Sequence, residues 1–184
     1  MSEKEINHPC YNPNVVSTAG RLHIPVAAEC NMQCNYCNRK YSCPNENRPG
    51  VCSSILKPED IKDYVENILK SHPEITVIGI AGPAEPMANM SVLEKYLNII
   101  HQHFSHLHIC LATNGLTLAD NINLLEHYHV GFITITINSL NLKTIEKIYD
   151  WVYYYNTILK GKEVAPLIYR KLKKTIEKIA TVKN

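Results

Sequence analysis

The sequence of 184 residues lacks any apolar run close to the roughly 20 residues that a membrane-spanning helix needs. Its first residues, MSEKEINHPCYNP, lack the apolar core of a secretory signal, so we expect a cytoplasmic protein without a membrane partner. Excess charge is missing too, since 19 Lys and Arg residues oppose 17 Asp and Glu residues. This balance gives no electrostatic indication of a nucleic-acid partner. Hydrophobic residues at 45% indicate a folded chain, and the length suits about one domain.

Seven cysteines are the unusual part of the composition. An odd number does not suit a framework of paired disulfides. In a reducing compartment, clustered cysteines more often bind metals or react. The cysteines are therefore the first candidates for a functional site.

The hydrophobic pattern alternates between buried strands and amphipathic helices. Four apolar runs predict strands, over residues 22–28, 75–80, 107–112 and 132–137, and a segment with helical spacing follows the last three directly. Strands that alternate with helices form parallel sheets with right-handed crossovers, so the predicted fold class is α/β. A closed barrel of this kind has eight β-α units and about 250 residues. We therefore expect a partial (β/α) barrel or an open sheet with about four units.

The ends of the chain have patterns of their own. Residues 1–20 are rich in turn-forming residues and predict an N-terminal arm, which leaves residues 21–184 as the core domain. A final amphipathic helix is predicted over residues 164–180. The lysines predicted to form its solvated face are Lys171, Lys173, Lys174 and Lys178.

Residues typical of helix ends refine the predicted helices. Pro58 suits the first turn of the first helix, and His72 with Pro73 ends it. Ser91 and Glu94 have the spacing of a capping box at the start of the second helix. The fourth helix is predicted to place four apolar side chains on one face, those of Ile145, Ile148, Tyr149 and Val152.

The loop after the first predicted strand carries Cys30, Cys34 and Cys37 in a CxxxCxxC pattern. In parallel β-α folds, active sites form at the carboxyl ends of strands, which is where this loop lies. Three thiolates on one loop can bind three irons of a cubane [4Fe-4S] cluster, leaving the fourth iron open for another ligand. A zinc site that also uses Cys43 is the alternative, because zinc favours four clustered thiolates.

Polar residues also follow the other predicted strands. Glu85 lies in AGPAEP, Thr113 and Asn114 lie in TNG, and Asn138 ends TITIN. Their position makes all four candidates for cofactor binding. The structural alternatives are a proline-stiffened turn around Glu85 and a turn-forming role for Asn138.

The cysteine spacing, directly after a first strand, resembles that of radical S-adenosylmethionine (SAM) enzymes. Several segments together resemble the NifB family more specifically, and the NRKYSC and NRPGV sequences after the cysteines are typical of that family. The similarity runs from about residue 7 to about residue 165. The segments are HPCY at 8–11, CNMQCNYCNRKYSCPNENRPGV at 30–51, GIAGPAEPMAN at 79–89, CLATNGL at 110–116 and TITIN at 134–138.

This resemblance implies an enzyme of nitrogenase iron–molybdenum cofactor biosynthesis. Such an enzyme fuses two iron–sulfur clusters and inserts a carbide taken from the methyl group of SAM. The resemblance implies that Cys30, Cys34 and Cys37 hold the radical-generating [4Fe-4S] cluster. It also implies that SAM binds the open iron, with Glu85 at its amino group.

The resemblance extends to additional iron–sulfur substrate clusters. Cys10 and Cys110 match cysteines with which the family holds a substrate cluster, and His8 is a further candidate ligand. An inert surface thiol at Cys10 and a buried free thiol at Cys110 are the alternatives. Cys43 and Cys52 receive no role.

Two departures from the family pattern affect what is expected. The family's loop reads GPGDP, whereas Ala84 and Glu85 stand here, and the longer carboxylate could still reach the same amino group. The family's remaining strands, and the cysteines near its carboxyl end that hold the second substrate cluster, are absent from this sequence. The expected partners are iron–sulfur cluster donors, nitrogenase cofactor assembly proteins, an electron donor such as ferredoxin, and a second polypeptide that completes the barrel.

Two further alternatives stay open at this point. The chain could be a truncated or inactive fragment that binds iron–sulfur clusters and passes them on. It could also be a radical SAM enzyme with a different substrate, which would need CxxxCxxC but neither HPC nor the cysteine before ATNG.

Overall fold

The computed structural model describes residues 7–38, 40–41, 43–44 and 54–181. In these residues no helix is long and apolar enough to cross a membrane. The strands are β1 (Gly20–Ala27), β2 (Met32–Cys34), β3 (Ile75–Pro83), β4 (His108–Thr113), β5 (Val130–Ile135), β6 (Tyr149–Tyr154) and β7 (Thr157–Lys160). The α-helices are α1 (Ile61–Ser71), α2 (Met90–His103), α3 (Leu118–His127), α4 (Leu142–Ile148) and α5 (Val164–Thr181).

A four-stranded parallel sheet forms the centre of the fold, in the order β1-β3-β4-β5. Consecutive apolar residues of neighbouring strands lie opposite each other, as in the row Ile24, Ile80, Leu111 and Ile133. This arrangement confirms the α/β class and the parallel sheet. The sheet is open between β1 and β5 in the described part of the chain, and its membership of a barrel stays a prediction.

One face of this sheet packs against the helices in the main hydrophobic core. The residues of this core include Ile24, Ile78, Ile80 and Leu111 from the strands and Leu97 from α2. Because side chains alternate between the two faces of a strand, Cys110 of β4 lies on the opposite face. We call that opposite face the inner face of the sheet.

The first helices follow the predicted boundaries closely, with one correction at a cap. A short 3-10 turn over Pro58–Asp60 leads into α1, and the chain leaves α1 at His72, as expected. The predicted capping box of Ser91 is wrong, because the N-cap of α2 lies two residues earlier. Asn89 caps it instead, with Oδ1 accepting hydrogen bonds from the Val92 N–H at 3.3 Å and the Ser91 hydroxyl at 2.9 Å. Asn is among the strongest capping residues, so it takes the position.

A second, three-stranded sheet has the order β2-β6-β7, and its strands are antiparallel. Here the prediction of a longer fourth helix is wrong, since α4 ends at Ile148 and Tyr149 and Val152 belong to β6. Both side chains are nevertheless buried on one side. The register shifts where β2 pairs with β6, so that Asp150 is bulged and Tyr149 and Val152 share a face. The bulge thus produces a spacing of three that imitates a helix.

The C-terminal helix α5 forms as predicted, but the prediction of a lysine face in water is wrong in part. Lys171 is 6% exposed and forms an ion pair with Asp120 of α3, and Lys174 pairs with the same carboxylate at 3.2 Å. The Lys178 Nζ donates to the Ala119 carbonyl at 2.7 Å. Three of the four lysines therefore attach α5 to α3, whereas the exposed Lys173 lies 3.9 Å from Glu177 of its own helix.

Asp120 is the centre of this attachment. Its Oδ2 accepts from the Tyr154 hydroxyl at 2.9 Å as well as from Lys171. Burial by itself would raise the pKa of Asp120, but the hydrogen bonds from Lys171, Tyr154 and Lys174 outweigh it, so the pKa is lowered. The carboxylate therefore joins α3, β6 and α5 in its ionised form.

Candidate metal and cofactor site

The carboxyl ends of the parallel strands and the cysteine loop surround one cavity. The residues that line it come from every loop that the sequence singled out. They are Cys30, Met32, Cys34, Cys43, Ala84, Glu85, Asn114, Thr136, Asn138 and Tyr149. The structure thus brings two of the three motif cysteines together with three of the four predicted cofactor-binding residues, as the strand-end rule predicts.

The cysteine loop is held in place by hydrogen bonds from its own polar residues. The side-chain amide of Gln33 donates to the carbonyls of Cys34 and Cys37, at 2.9 Å each. Asn35 donates through its backbone N–H to Ile148 O at 2.7 Å and through its side chain to Lys147 O at 2.8 Å. The loop is therefore fastened to the end of α4.

The three motif cysteines fit an iron–sulfur cluster by their chemistry. Cys30, Cys34 and Cys37 are partly exposed cysteines within one short loop. Among the described residues, no three His, Cys, Asp or Glu side chains form a group that could hold a single metal ion. A cubane cluster takes one thiolate per iron, so its cysteines do not have to meet at one point. A single zinc ion would need four ligands around one point, which makes zinc the poorer fit.

A buried donor beside Cys30 also suits a bound group. Asn31 is 4% exposed, and its side-chain nitrogen has no hydrogen-bond partner among the residues that the structure describes. The side-chain oxygen of the same residue accepts from the Asn114 amide at 2.7 Å. A buried amide donor is costly to leave unpaired, so an acceptor brought by a ligand would stabilise this arrangement.

Glu85 is buried, at 3% exposure, and braces two loops. Its Oε1 accepts from the Met87 N–H at 3.0 Å and from the Thr113 hydroxyl at 2.6 Å, while Oε2 accepts from the Asn114 N–H at 2.7 Å. Both carboxylate oxygens are thus turned towards protein donors. Thr113 and Asn114 are held by Glu85, and the contact of Glu85 with an amino group of SAM stays a prediction.

Asn114 connects this braced pair of loops with the cysteine loop. Its side-chain amide donates to Asn31 Oδ1 and lies 4.0 Å from Cys30 Sγ, while its Oδ1 accepts from the Leu116 N–H at 3.0 Å. Hydrogen bonds to cluster-binding sulfurs tune the reduction potential of iron–sulfur clusters. Asn114 is therefore placed to act on a cluster held at Cys30.

Asn138 lies at the same cavity between two tyrosines. Its side-chain amide donates to the Tyr36 hydroxyl at 2.7 Å and to the Tyr149 hydroxyl at 2.9 Å. Burial is the main reason that the pKa of Tyr149 is raised to about 12. Sequence reasoning missed Tyr149, because its spacing from Val152 is typical of a helix face. Tyr36 could have been found from its place between Cys34 and Cys37.

The described part of the arm packs against the inner face of the sheet. His8 is fully buried, contacts the ring of Phe132 with centroids 4.5 Å apart, and accepts the Cys10 N–H at 3.1 Å through Nδ1. Its Nε2 has no hydrogen-bond partner within the described part of the chain. Burial, and then the charge of Arg21, lower the pKa of His8 to about 4. A neutral imidazole is the form in which histidine binds metals.

The other two predicted ligands of a substrate cluster lie near the same face. Cys10 is exposed, and Arg21 donates to its sulfur at 3.5 Å. Cys110 is buried in β4, where it lies opposite Phe132 of β5. His8 and Cys110 thus both neighbour Phe132, and the binding of a cluster by His8, Cys10 and Cys110 stays a prediction. Cys43 lines the main cavity, and Cys52 lies outside the described residues.

Comparisons with known proteins identify the family of the chain. The sequence profile of the radical SAM superfamily matches residues 24–166. The chain is 42% identical over 162 residues to the FeMo cofactor biosynthesis protein NifB of Chlorobaculum tepidum, a match that covers 88% of this chain and 38% of that protein. It is 43% identical over 174 residues to the NifB protein of Methanocaldococcus infernus, covering 93% and 57%.

A third relative shows the same asymmetry in length. The NifB protein of Herbaspirillum seropedicae is 41% identical over 169 residues, which are 92% of this chain and 32% of that protein. The resemblance inferred from the five sequence segments is confirmed by these relatives. The chain spans between about a third and somewhat more than half of the length of the three.

Proposed function

The chain belongs to the radical SAM superfamily, and from this membership we propose that it is an iron–sulfur enzyme of the NifB type, acting in the assembly of the nitrogenase iron–molybdenum cofactor. One observation carries the proposal: Cys30 and Cys34 share a cavity with Glu85, Asn114 and Asn138 at the carboxyl edge of the parallel sheet. The similarity to proteins named for this biosynthesis supports the choice of substrate class.

In this proposal Cys30, Cys34 and Cys37 hold a [4Fe-4S] cluster as thiolates. When bound, the cluster supplies an electron that cleaves SAM to methionine and a 5′-deoxyadenosyl radical. The chain's own residues hold the surroundings in place. Glu85 fixes the TNG loop through Asn114 N–H, and Asn114 donates towards the cysteine loop. Asn138, held between Tyr36 and Tyr149, offers its amide oxygen to SAM.

The substrate of the proposed reaction is a pair of smaller iron–sulfur clusters, which are fused around a carbide from a SAM methyl group. Cys10, Cys110 and His8 are the proposed ligands of one of them. Two contacts support this assignment. His8 and Cys110 both neighbour Phe132 on the inner face, and the Cys10 N–H donates a hydrogen bond to His8 Nδ1. Cluster donors, cofactor assembly proteins and a ferredoxin-type electron donor are the proposed partners, in the cytoplasm.

The test is anaerobic reconstitution with iron and sulfide, followed by electron paramagnetic resonance of the reduced protein with and without SAM. We expect a cubane signal that shifts when SAM is added. Cys30→Ala, Cys34→Ala and Cys37→Ala should each abolish the signal and SAM cleavage. Cys43→Ala is the matched control in the same cavity and should retain both.

The variants outside the motif separate the two roles of the cysteines. Cys10→Ala and Cys110→Ala should keep SAM cleavage and lose the loading of a substrate cluster. If the substitutions at Cys10 and Cys110 had the same effects as those at the three motif cysteines, the assignment would be contradicted. A cluster signal that SAM does not change would contradict the enzyme proposal.

A further inference from the structure

A group of histidines lies at the edge of the sheet opposite the cysteine loop. His101 is in the last turn of α2, His127 is in the last turn of α3, and His129 directly precedes β5. Helices that follow parallel strands return to the amino ends of the strands, so these residues are separated from the cavity by the length of the sheet. The function proposed above makes no use of them.

Two of these histidines bring their Nδ1 atoms close together. His101 Nδ1 and His129 Nδ1 are 3.4 Å apart, while the ring centroids are 5.0 Å apart. The two rings are nearly parallel, with an interplanar angle of 14°, and are offset so that the nitrogens are closer to each other than the centroids are. Zinc binds histidine nitrogen at about 2.0–2.1 Å, so two histidines on a tetrahedral zinc have their nitrogens about 3.4 Å apart. The observed separation matches this value.

The position of His129 has an energetic cost. Its φ is 54°, in the left-handed region that few residues other than Gly adopt and in which Asn, Asp and His are the most frequent exceptions. The conformation ends α3 and brings the imidazole to His101. A residue held in an unfavourable conformation at an exposed turn is a reason to look for a function of its side chain.

The surroundings of the pair also favour a bound cation. Both α2 and α3 end here, and the carbonyl groups at helix C-termini carry partial negative charge. Tyr128 is 8% exposed, and its ring lies edge-on to the His101 ring with the centroids 6.0 Å apart. The Tyr128 hydroxyl donates a hydrogen bond to Glu94 Oε1 at 3.3 Å. The pair is thus supported by a buried, hydrogen-bonded side chain, which keeps the ligands in place.

We propose that His101 and His129 form a two-histidine site for a borderline divalent transition metal ion, of which Zn²⁺ is the model, with water completing the coordination. Imidazole is a suitable ligand for such ions. No group of three ligating side chains occurs in the described ranges, so the site holds the ion with two protein ligands and binds it reversibly. The proposal is independent of the cysteine site.

The test uses the full chain labelled with ¹⁵N-histidine and without a polyhistidine tag. Zn²⁺ is titrated beyond saturation of the cysteines, and the imidazole signals are followed by NMR. Metal bound at the cysteines does not move the signals of His101 and His129, since these residues lie at the opposite edge. We expect both signals to shift along one common binding curve.

Variants make the result specific to the pair. His129→Gly, which keeps the left-handed turn, should weaken the response of His101 to Zn²⁺ by about tenfold or more. His103→Ala, on the same helix as His101, is the matched control and should leave the curve unchanged. If Zn²⁺ moves neither signal, or if His101 responds equally in the His129→Gly variant, the proposal is overturned and the two rings merely hydrogen-bond to each other.

Discussion

The carboxylate of Glu85 accepts the backbone N–H of Asn114 at 2.7 Å, which ties the loop after β3 to the loop after β4. Glu85 is buried, and Thr113 and Met87 donate to its other oxygen. An acidic residue that the family resemblance associates with SAM is thus also a brace of the site.

This brace predicts that Glu85→Gln lowers stability. In the variant, the NH₂ group of the new side chain would replace one carboxylate oxygen. Because NH₂ cannot accept a hydrogen bond, a donor of Met87, Thr113 or Asn114 would be left buried and unpaired. We expect a loss of about 3 kcal/mol in the free energy of unfolding, measured by urea denaturation. Glu29→Gln, an exposed glutamate near the same cavity, should change stability by less than about 0.5 kcal/mol. Equal stability of both variants would show that Glu85 does not brace the loops.

The ion pair at Asp120 predicts a pH-dependent contribution to stability. Its folded-state pKa is lowered, so the unfolded chain binds the proton more tightly than the folded chain does. The contribution is therefore complete above the ordinary carboxyl pKa of about 4 and is lost as pH falls through the lower folded value. Asp120→Asn should lower the free energy of unfolding by about 2 kcal/mol at pH 7, and this difference from the wild type should become smaller below about pH 4.

Chemical unfolding at several pH values measures this difference. Lys171 would remain buried without its carboxylate in Asp120→Asn, which is the main source of the loss. Glu146→Gln, at an exposed site on α4, is the control. If the difference in unfolding free energy between the wild type and Asp120→Asn stays constant from pH 7 to pH 2.5, the ionised carboxylate does not have this role.

The left-handed turn at His129 predicts a substitution that stabilises the protein. Gly adopts a φ of 54° without strain, so His129→Gly should raise the midpoint of thermal unfolding. We expect the free energy of unfolding to rise by about 0.5–1 kcal/mol when a chelator is present to remove any metal bound at His129. His127→Gly, two residues earlier and inside α3, should instead cost about 0.5 kcal/mol. Opposite signs for the two variants are the required result.

Gly115 of the TNG loop predicts a large effect of a single methyl group. Its φ is 76°, and a Cβ there would lie 2.8 Å from the Ile135 Cγ2 atom. Gly115→Ala should therefore destabilise the chain through both backbone strain and overlap, by about 3 kcal/mol. Gly161 has a φ of 58° and open space around it, so Gly161→Ala should cost only about 1 kcal/mol. Similar melting temperatures for the two variants would rule out the overlap.

The strands and helices of the parallel sheet could be predicted from the sequence because each is coded locally. Ile75–Ile80 is apolar on both faces, and the α1 segment repeats apolar residues at helical spacing, so neither depends on distant partners. The position of Glu85 and Asn114 after the carboxyl ends of parallel strands also predicts that they lie near the cysteines.

The features that escaped prediction depend on tertiary contacts. The sequence predicts a helix across the start of β6 because the bulge at Asp150 exists only when β6 pairs with β2. The sequence predicts Lys171 in water because its partner Asp120 is 51 residues away. The bracing role of Glu85 likewise depends on how β3 and β4 align, which no local pattern records.

The attachment of the cysteine loop to β6 and α4 affects the order of events during synthesis. Asn35 and its partner Lys147 are 112 residues apart, so the loop emerges from the ribosome well before the segment that fastens it. At roughly 5–20 residues per second, translation leaves the motif cysteines without that support for on the order of ten seconds. If this loop binds the proposed cluster, iron and sulfide would therefore meet the fastened loop only after the second sheet has been translated, and cluster insertion would be a late step in the synthesis of the protein.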